Sequence, residues 1–324
     1  MPRPSAPSLS VVLILFGAGA AFGQTASKDA AGVFPNKPLR IVTSAPGGTS
    51  DFTSRLIARG LTESLGQQVI VDNRGNFAGD VVVRAQPDGY TMLLDGPSLW
   101  LIPLLQRVSY DPVKDFAPVT IAVKAPNVLV VHPALPVSSV KELIALAKAR
   151  PGELNYASGG IGGASHLSAE LFRSMTGTNI VSVNYKGTGP ALNALIANEV
   201  QIMFANATIA IPHIKGARVK GLAVATLQPS ALVPDLPTLA ASGLPGMEST
   251  IVQGIVAPGK TPSALVNRLS QEIVRVLHRS DVKERHFSIA VETVGSSPEA
   301  FAALIKEDMM KWGKVIKQAG IRLD

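Results

Sequence analysis

The chain has 324 residues, 46% of them hydrophobic and only 16% charged, which excludes a disordered tail and a coiled coil and suits two lobes. It has no cysteine, so thiolate catalysis, cysteine-held zinc, iron–sulfur clusters, disulfides and a lipid-bearing N-terminal cysteine are excluded together. The formal charge of +7 is scattered without a basic run, and aromatic residues are only 5%, so nothing marks a nucleic-acid groove; a small anionic ligand and ordinary surface charge both fit.

Residues 1–23 read as an export signal. Arg3 precedes an apolar run from Val11 to Phe16 that continues through small residues to Ala21, and Ala21 and Gly23 suit cleavage before Gln24. The run is about ten residues, short of the roughly 20 that a spanning helix needs, so a free periplasmic protein is expected.

Leu39–Ser44 alternates like a strand, and Pro46-Gly47-Gly48 breaks it. Asp51–Leu65 then carries apolar residues at near-helical spacing and stops at Gly66. Val69–Val71, Thr91–Leu94 and Asn127–Val131 read as strands, and Ser139 with Glu142 forms a capping box that opens a helix ending at Pro151. Strands at Asn155–Ala157 and Ile180–Val183 are each followed by a glycine-rich turn and a helix. Val200–Phe204, Leu222–Ala225 and Ile251–Ala257 are further strands. Two helices close the chain, Pro262–Leu277 and Pro298–Ala319, with Thr261 and Ser297 as their N-caps. Such alternation predicts α/β layers around largely parallel sheets.

Three strand-to-helix turns are rich in glycine: Pro46–Asp51, Ser158–Ser165 and Lys186–Gly189. Turns of this kind lie at the carboxyl ends of strands, where α/β proteins bind ligands, and the helix start offers unpaired N–H groups and a positive dipole end. The nucleotide readings fail, because no GxxxxGK[ST] loop exists and Ser165 stands where the dinucleotide fingerprint wants a glycine. No GxSxG or HExxH motif is present, and the five histidines have no metal-pair spacing. Ser158 or Ser165 with His166 could form a secreted serine hydrolase, although a hydrogen bond from the glycine loop to His166 is the simpler role. Asp51 reads either as a first-turn acid favoured by the helix dipole or as a contact to an amine or a bridging water.

Motifs along the whole of the later chain carry a further signal: Phe34–Pro38, Pro46-Gly47-Gly48 with Asp51, Val71–Arg74, Pro87–Thr91, Asp115–Val119, Val130–Pro133, Leu154–Ser158 leading to His166, Tyr185-Lys186-Gly187, Leu236-Pro237-Thr238 and Gly243–Gly246. With these the chain resembles the Bug-type periplasmic solute receptors of tripartite tricarboxylate transporters. The resemblance implies a two-lobed periplasmic-binding-protein clamshell of the type II kind, each lobe a mixed, mostly parallel sheet flanked by helices. Lobe one would comprise 32–126 and 251–324, and lobe two 127–250. It also implies no catalysis, no cofactor and no metal. The expected partners are a small carboxylate ligand and the membrane permease subunits of such a transporter, or a sensor to which ligand is presented, with the receptor a monomer. Carried over position by position, the ligand contacts are Ser44, Pro46, Gly47, Gly48, Thr49 and Asp51 from lobe one and Ser158, Gly162, Ser165, His166, Thr188, Gly189 and Asn206 from lobe two. The sequence departs from the family at Asn73–Asp80, at Ala205 before Asn206 and at Asp95–Trp100, which makes Phe77 and Trp100 candidates for ligand discrimination.

Overall fold

The computed structural model describes residue 1, residues 34–44 and residues 46–322; the expected export signal lies outside the described residues. From Pro35 onward the described residues form one unit. Its elements are β1 (Leu39–Thr43), α1 (Thr49–Leu65), β2 (Val69–Asn73), α2 (Ala78–Val83), β3 (Thr91–Asp95), α3 (Ser98–Leu101) and the long β4 (Phe116–Val131). Then come α4 (Val140–Ala149), β5 (Asn155–Ser158), α5 (Ala164–Thr176), β6 (Val181–Asn184), α6 (Thr188–Ile196), β7 (Ile202–Asn206), α7 (Ala207–Lys215) and β8 (Lys220–Val224). The chain ends with β9 (Thr250–Pro258), α8 (Ser263–Leu277), α9 (Ser280–Ser288), β10 (Glu292–Thr293) and α10 (Pro298–Ala319).

The strands follow one path, β2-β1-β3-β9-β4-β7-β5-β6, with β8 and β10 also paired to β4. Strands linked through helices pair in parallel: β1 with β2 and β3, and β5 with β6 and β7. The sheets are nevertheless mixed, because β4 and β9 run against each other and against their other neighbours. Strand β4 serves both halves. Its first part, Phe116 to Pro126, pairs with β9, and its last part, Asn127 to Val131, pairs with β7.

Each half buries its own apolar side chains, and every fully buried Leu, Val or Phe contributes roughly 1.5–3 kcal/mol. Around β1, β3 and β9 the core holds Val42, Leu93, Trp100, Phe116, Val256 and Phe301. Around β5 and β7 one face holds Leu129, Tyr156, Phe172 and Phe204, and the other holds Val130, Ala157, Leu195 and Met203. Leu167 of α5 belongs to the first of these cores, alongside Trp312, Val315 and Ile316 of α10, so α5 packs on both halves.

Local expectations need correction at several places. The strand expected at Asn127–Val131 begins eleven residues earlier, at Phe116. Pro118 is accommodated because the register with β9 shifts between Pro118 and Thr120, and a bulge is where a strand tolerates proline. Helices α2, α3, α7 and α9 and the two-residue β10 are absent from the expectations, α7 because Pro212 sits inside it. Helix α8 is capped at Pro262 rather than at Thr261, whose buried hydroxyl has no hydrogen-bond partner.

Candidate functional site

Strand register sets the site. The end of β7 lies opposite the crossover, with Asn206 against Asn127, and β5 and β6 run parallel to β7. On the other side, β1 and β3 run toward the same crossover, with Asp95 against Gly254 and Thr250 against Pro126. The carboxyl ends of both strand sets therefore point at Pro126–Asn127. A buried polar knot holds this crossing: Asn127 Nδ2 donates to Ser249 Oγ (2.9 Å) and Ser168 Oγ (3.2 Å), and the two hydroxyls lie 2.5 Å apart.

The first glycine turn follows β1. Gly47 has φ +83°, Gly48 is the N-cap of α1 and has no side-chain cap, and the helical ladder begins with Phe52 N–H donating to Gly48 O (3.0 Å). Gly47 N–H donates to Asp51 Oδ2 (3.0 Å), so the third helical residue folds back onto the amide before the cap. Arg55 grips both oxygens of Asp51, through Nε to Oδ2 (3.1 Å) and Nη2 to Oδ1 (2.9 Å). Asn73 Nδ2 donates to Asp51 Oδ1 (3.0 Å) and to Ser44 O (2.9 Å). Burial pushes the Asp51 carboxyl up, but the hydrogen bonds from Arg55, Gly47 and Asn73 outweigh it and hold it below the usual carboxylate range. Pro46, Gly47 and Gly48 are exposed, and Ser44 and Thr49 are half-buried.

The second turn repeats this construction. Gly162 has φ +73°, Gly163 is the N-cap of α5 without a side-chain cap, and the ladder begins with Leu167 N–H donating to Gly163 O (2.9 Å). Gly162 N–H donates to His166 Nδ1 (3.0 Å), which places the ring proton on Nε2. His166 is buried and stacked on Tyr156, with centroids 6.2 Å apart. Burial lowers its pKa, Glu170 opposes that shift, and Arg173 adds to it. Gly159 N–H donates to Ser165 Oγ (3.0 Å), and buried Ser158 donates to Asn184 Oδ1. The third turn leans on the second, as Gly187 N–H donates to Gly159 O (3.1 Å). Gly187 is the N-cap of α6, again without a side-chain cap, and leaves Thr188 and Gly189 exposed.

Helix α4 shows what these starts omit. Its third residue also folds back, with Ser138 N–H donating to Glu142 Oε2 (2.7 Å), but Ser139 Oγ additionally accepts from Glu142 N–H (3.2 Å). In α1 and α5 glycine replaces that serine, so the fold-back survives and the forward cap is gone. The first-turn amides, which have no intrahelical partner, then face outward beside the positive end of the helix dipole. Asn206 behaves like Ser139: it caps α7, and its Oδ1 accepts from Thr208 N–H (2.8 Å).

A cavity of about 510 Å³ adjoins the second turn, walled by Pro97–Leu105 segments, Gly159–Ala164, Leu167, Ser249–Ile251 and Trp312. A larger one, about 750 Å³, is lined by residues such as Ile121, Lys124, Leu227 and Phe287 and receives nothing from the three glycine turns. Trp100 is fully buried, donates to Asp308 Oδ2 (3.1 Å) and meets Phe301 edge-on, so it is packing; Phe77 is 72% exposed. Among the described residues neither Ser158 nor Ser165 has His166 as a hydrogen-bond partner. The sequence reading missed Arg55, Asn73 and Asn184, which hold the turns. The spacing Gly-Gly-x-x-Asp and Gly-Gly-x-x-His was the available signal.

Comparison with known proteins agrees with this architecture. Residues 53–321 match the model of the tripartite tricarboxylate transporter family receptor. A UPF0065 protein encoded in a tcbD-tcbE intergenic region of a Pseudomonas species is 36% identical, covering 92% of each chain. Protein BugT of Bordetella pertussis is 31% identical, covering 98% of this chain and 99% of its own. A solved R. palustris protein with adipate is 35% identical with a TM-score of 0.79, covering 89% of this chain and 99% of that one.

Proposed function

The chain belongs to the tripartite tricarboxylate transporter receptor family and is a solute-binding receptor of that periplasmic family, and from that premise we propose that it captures a small carboxylate at the crossover and delivers it to a tripartite permease. The observation that carries this reading is the repeated half-cap of α1 and α5, which presents backbone amides where α4 presents a serine. A carboxylate at such a start accepts N–H bonds and gains from the helix dipole, about 0.3–1 kcal/mol per helix when exposed and more when enclosed. Amides at Gly48–Asp51, Ala164–His166 and Thr188–Gly189 would be the donors, the Gly163 amide being taken by Gly160 O (3.2 Å). Asp51 and His166 then act as positioning residues, and Ser44, Ser158 and Ser165 fix the turns. Asp51 can stand near an anion because Arg55 compensates its charge.

The portions 32–126 with 251–324 and 127–250 would move as two lobes about the Asn127–Ser249 knot. Ligand favours the closed form by touching both, which is a population shift. The protein works as an exported monomer and makes or breaks no bond in its ligand. The separate commitments of Ser158, Ser165 and His166 support binding over hydrolysis.

Calorimetric titration of the full chain with a panel of mono- and dicarboxylates should give one-to-one binding that Gly48→Val weakens at least about tenfold, and the radius of gyration should fall on saturation. A p-nitrophenyl ester should not turn over. Failure of every carboxylate to bind, or ester turnover that Ser158→Ala abolishes, would overturn the proposal.

A further inference from the structure

We propose that the cavity beside the second glycine turn is a subsite for an apolar end of the ligand, so that the preferred solute is a carboxylate with an alkyl or aryl tail rather than a short dicarboxylate. This rests on the carboxylate reading above and specifies its other half.

The cavity reaches the start of α5, because Gly159 to Ala164, the last of them the first helical residue, are among the residues lining it. A carboxylate seated on those amides has its substituent beside Leu101, Ile102, Leu105, Ile161, Leu167 and Trp312. No lysine, arginine, histidine, aspartate or glutamate lines the cavity. Its polar side chains are largely engaged elsewhere: Ser98 Oγ donates to Asp95 Oδ1 (3.0 Å), and Ser249 Oγ accepts from Asn127. A second carboxylate pushed into this space would lose its water without meeting a cation, whereas methylenes or a ring lose only unfavourable hydration.

Size agrees with this assignment. A dry apolar cavity of about 150 Å³ already accepts a benzene ring, and this one measures about 510 Å³. The inference also accounts for Ile161, which is 43% exposed at the tip of the turn although its neighbours there are glycines. An aliphatic side chain in that place has no packing role in either core and forms part of the cavity wall.

The test is calorimetry on the full chain with hexanoate, benzoate, acetate and adipate at one pH. Hexanoate or benzoate should bind about tenfold or more tightly than both acetate and adipate. Ile161→Ser, at an exposed position that leaves the fold intact by circular dichroism, should weaken hexanoate several-fold and leave acetate unchanged. Ile102→Arg should weaken hexanoate and strengthen adipate, reversing their order. If adipate binds as tightly as hexanoate and neither variant alters the ratio, the apolar subsite is wrong while the receptor reading stands. If none of the four binds, the carboxylate reading falls and this inference with it.

Discussion

The starts of α1 and α5 share a backbone design and differ in what holds it. In both, a glycine at positive φ precedes a glycine N-cap, and the third helical side chain accepts from the amide before the cap at 3.0 Å. In α1 that acceptor is a carboxylate locked by Arg55 and Asn73; in α5 it is a neutral imidazole stacked on Tyr156. The geometry thus needs an acceptor of the right reach and not a particular charge. The chemical difference decides how each turn responds to substitution and to pH. A charged brace fixes the first turn over the whole neutral range, and a neutral brace makes the second turn the one that protons can loosen.

The largest effect should come from removing the charged brace. Asp51→Ala leaves the Gly47 amide, Asn73 and Arg55 without their shared acceptor and should cost about 2–3 kcal/mol in urea unfolding, against about 1–2 kcal/mol for His166→Ala. Equal losses would mean that Arg55 and Asn73 add nothing to the first turn. Both variants should also bind ligand more weakly, as read by calorimetry.

Replacing Gly47, at positive φ in the first turn, should be milder than losing Asp51. Gly47→Ala meets open space and pays only for the left-handed backbone, about 1–2 kcal/mol. At Gly162 a methyl would also strike Leu105, so Gly162→Ala should cost more and disturb the adjoining cavity. Thermal unfolding of the pair checks the order, and a larger loss at Gly47 would reverse the reading.

The smallest effect is a pH slope. His166 is held below the ordinary histidine value of about 6.5, so as pH falls below that value the unfolded chain takes up the proton first and native stability declines until the lowered folded pKa is passed. Asp51 is likewise lowered, and its contribution persists above the carboxylate range and is lost only in stronger acid. Buried His286 is shifted in the same direction. The informative quantity between pH 7 and 5 is therefore the difference between the parent chain and His166→Gln, which keeps an acceptor and should flatten the slope. An unchanged slope would remove His166 as the acid-sensitive brace.

Much of this was readable from residue order because it is local. The glycine turns, the helices they open and the Ser139–Glu142 box all lie within a few residues of themselves. The half-caps escaped notice because a capping search looks for Ser, Thr, Asp or Asn at the N-cap, and here glycine occupies it. The first part of β4 was hidden by Pro118 and Pro126: the first is tolerated at a register shift against β9, and the second stands where β4 passes from β9 to β7. The cavity could not be read at all, since its walls come from segments near residues 97–105, 159–167, 249–251 and 312. Nothing local in the sequence says that Leu105 lies against Gly162.

The central claim is that uncapped amides, and not a charged side chain, hold the carboxylate. Amide nitrogen and proton shifts of the full chain titrated with hexanoate test it directly. The account predicts the largest movements at Thr49, Ser50, Ala164 and Ser165, with Lys141 and Glu142 at the capped start of α4 unmoved. Movements confined to the larger cavity around Leu227 and Phe287, with the glycine-opened starts silent, would contradict it.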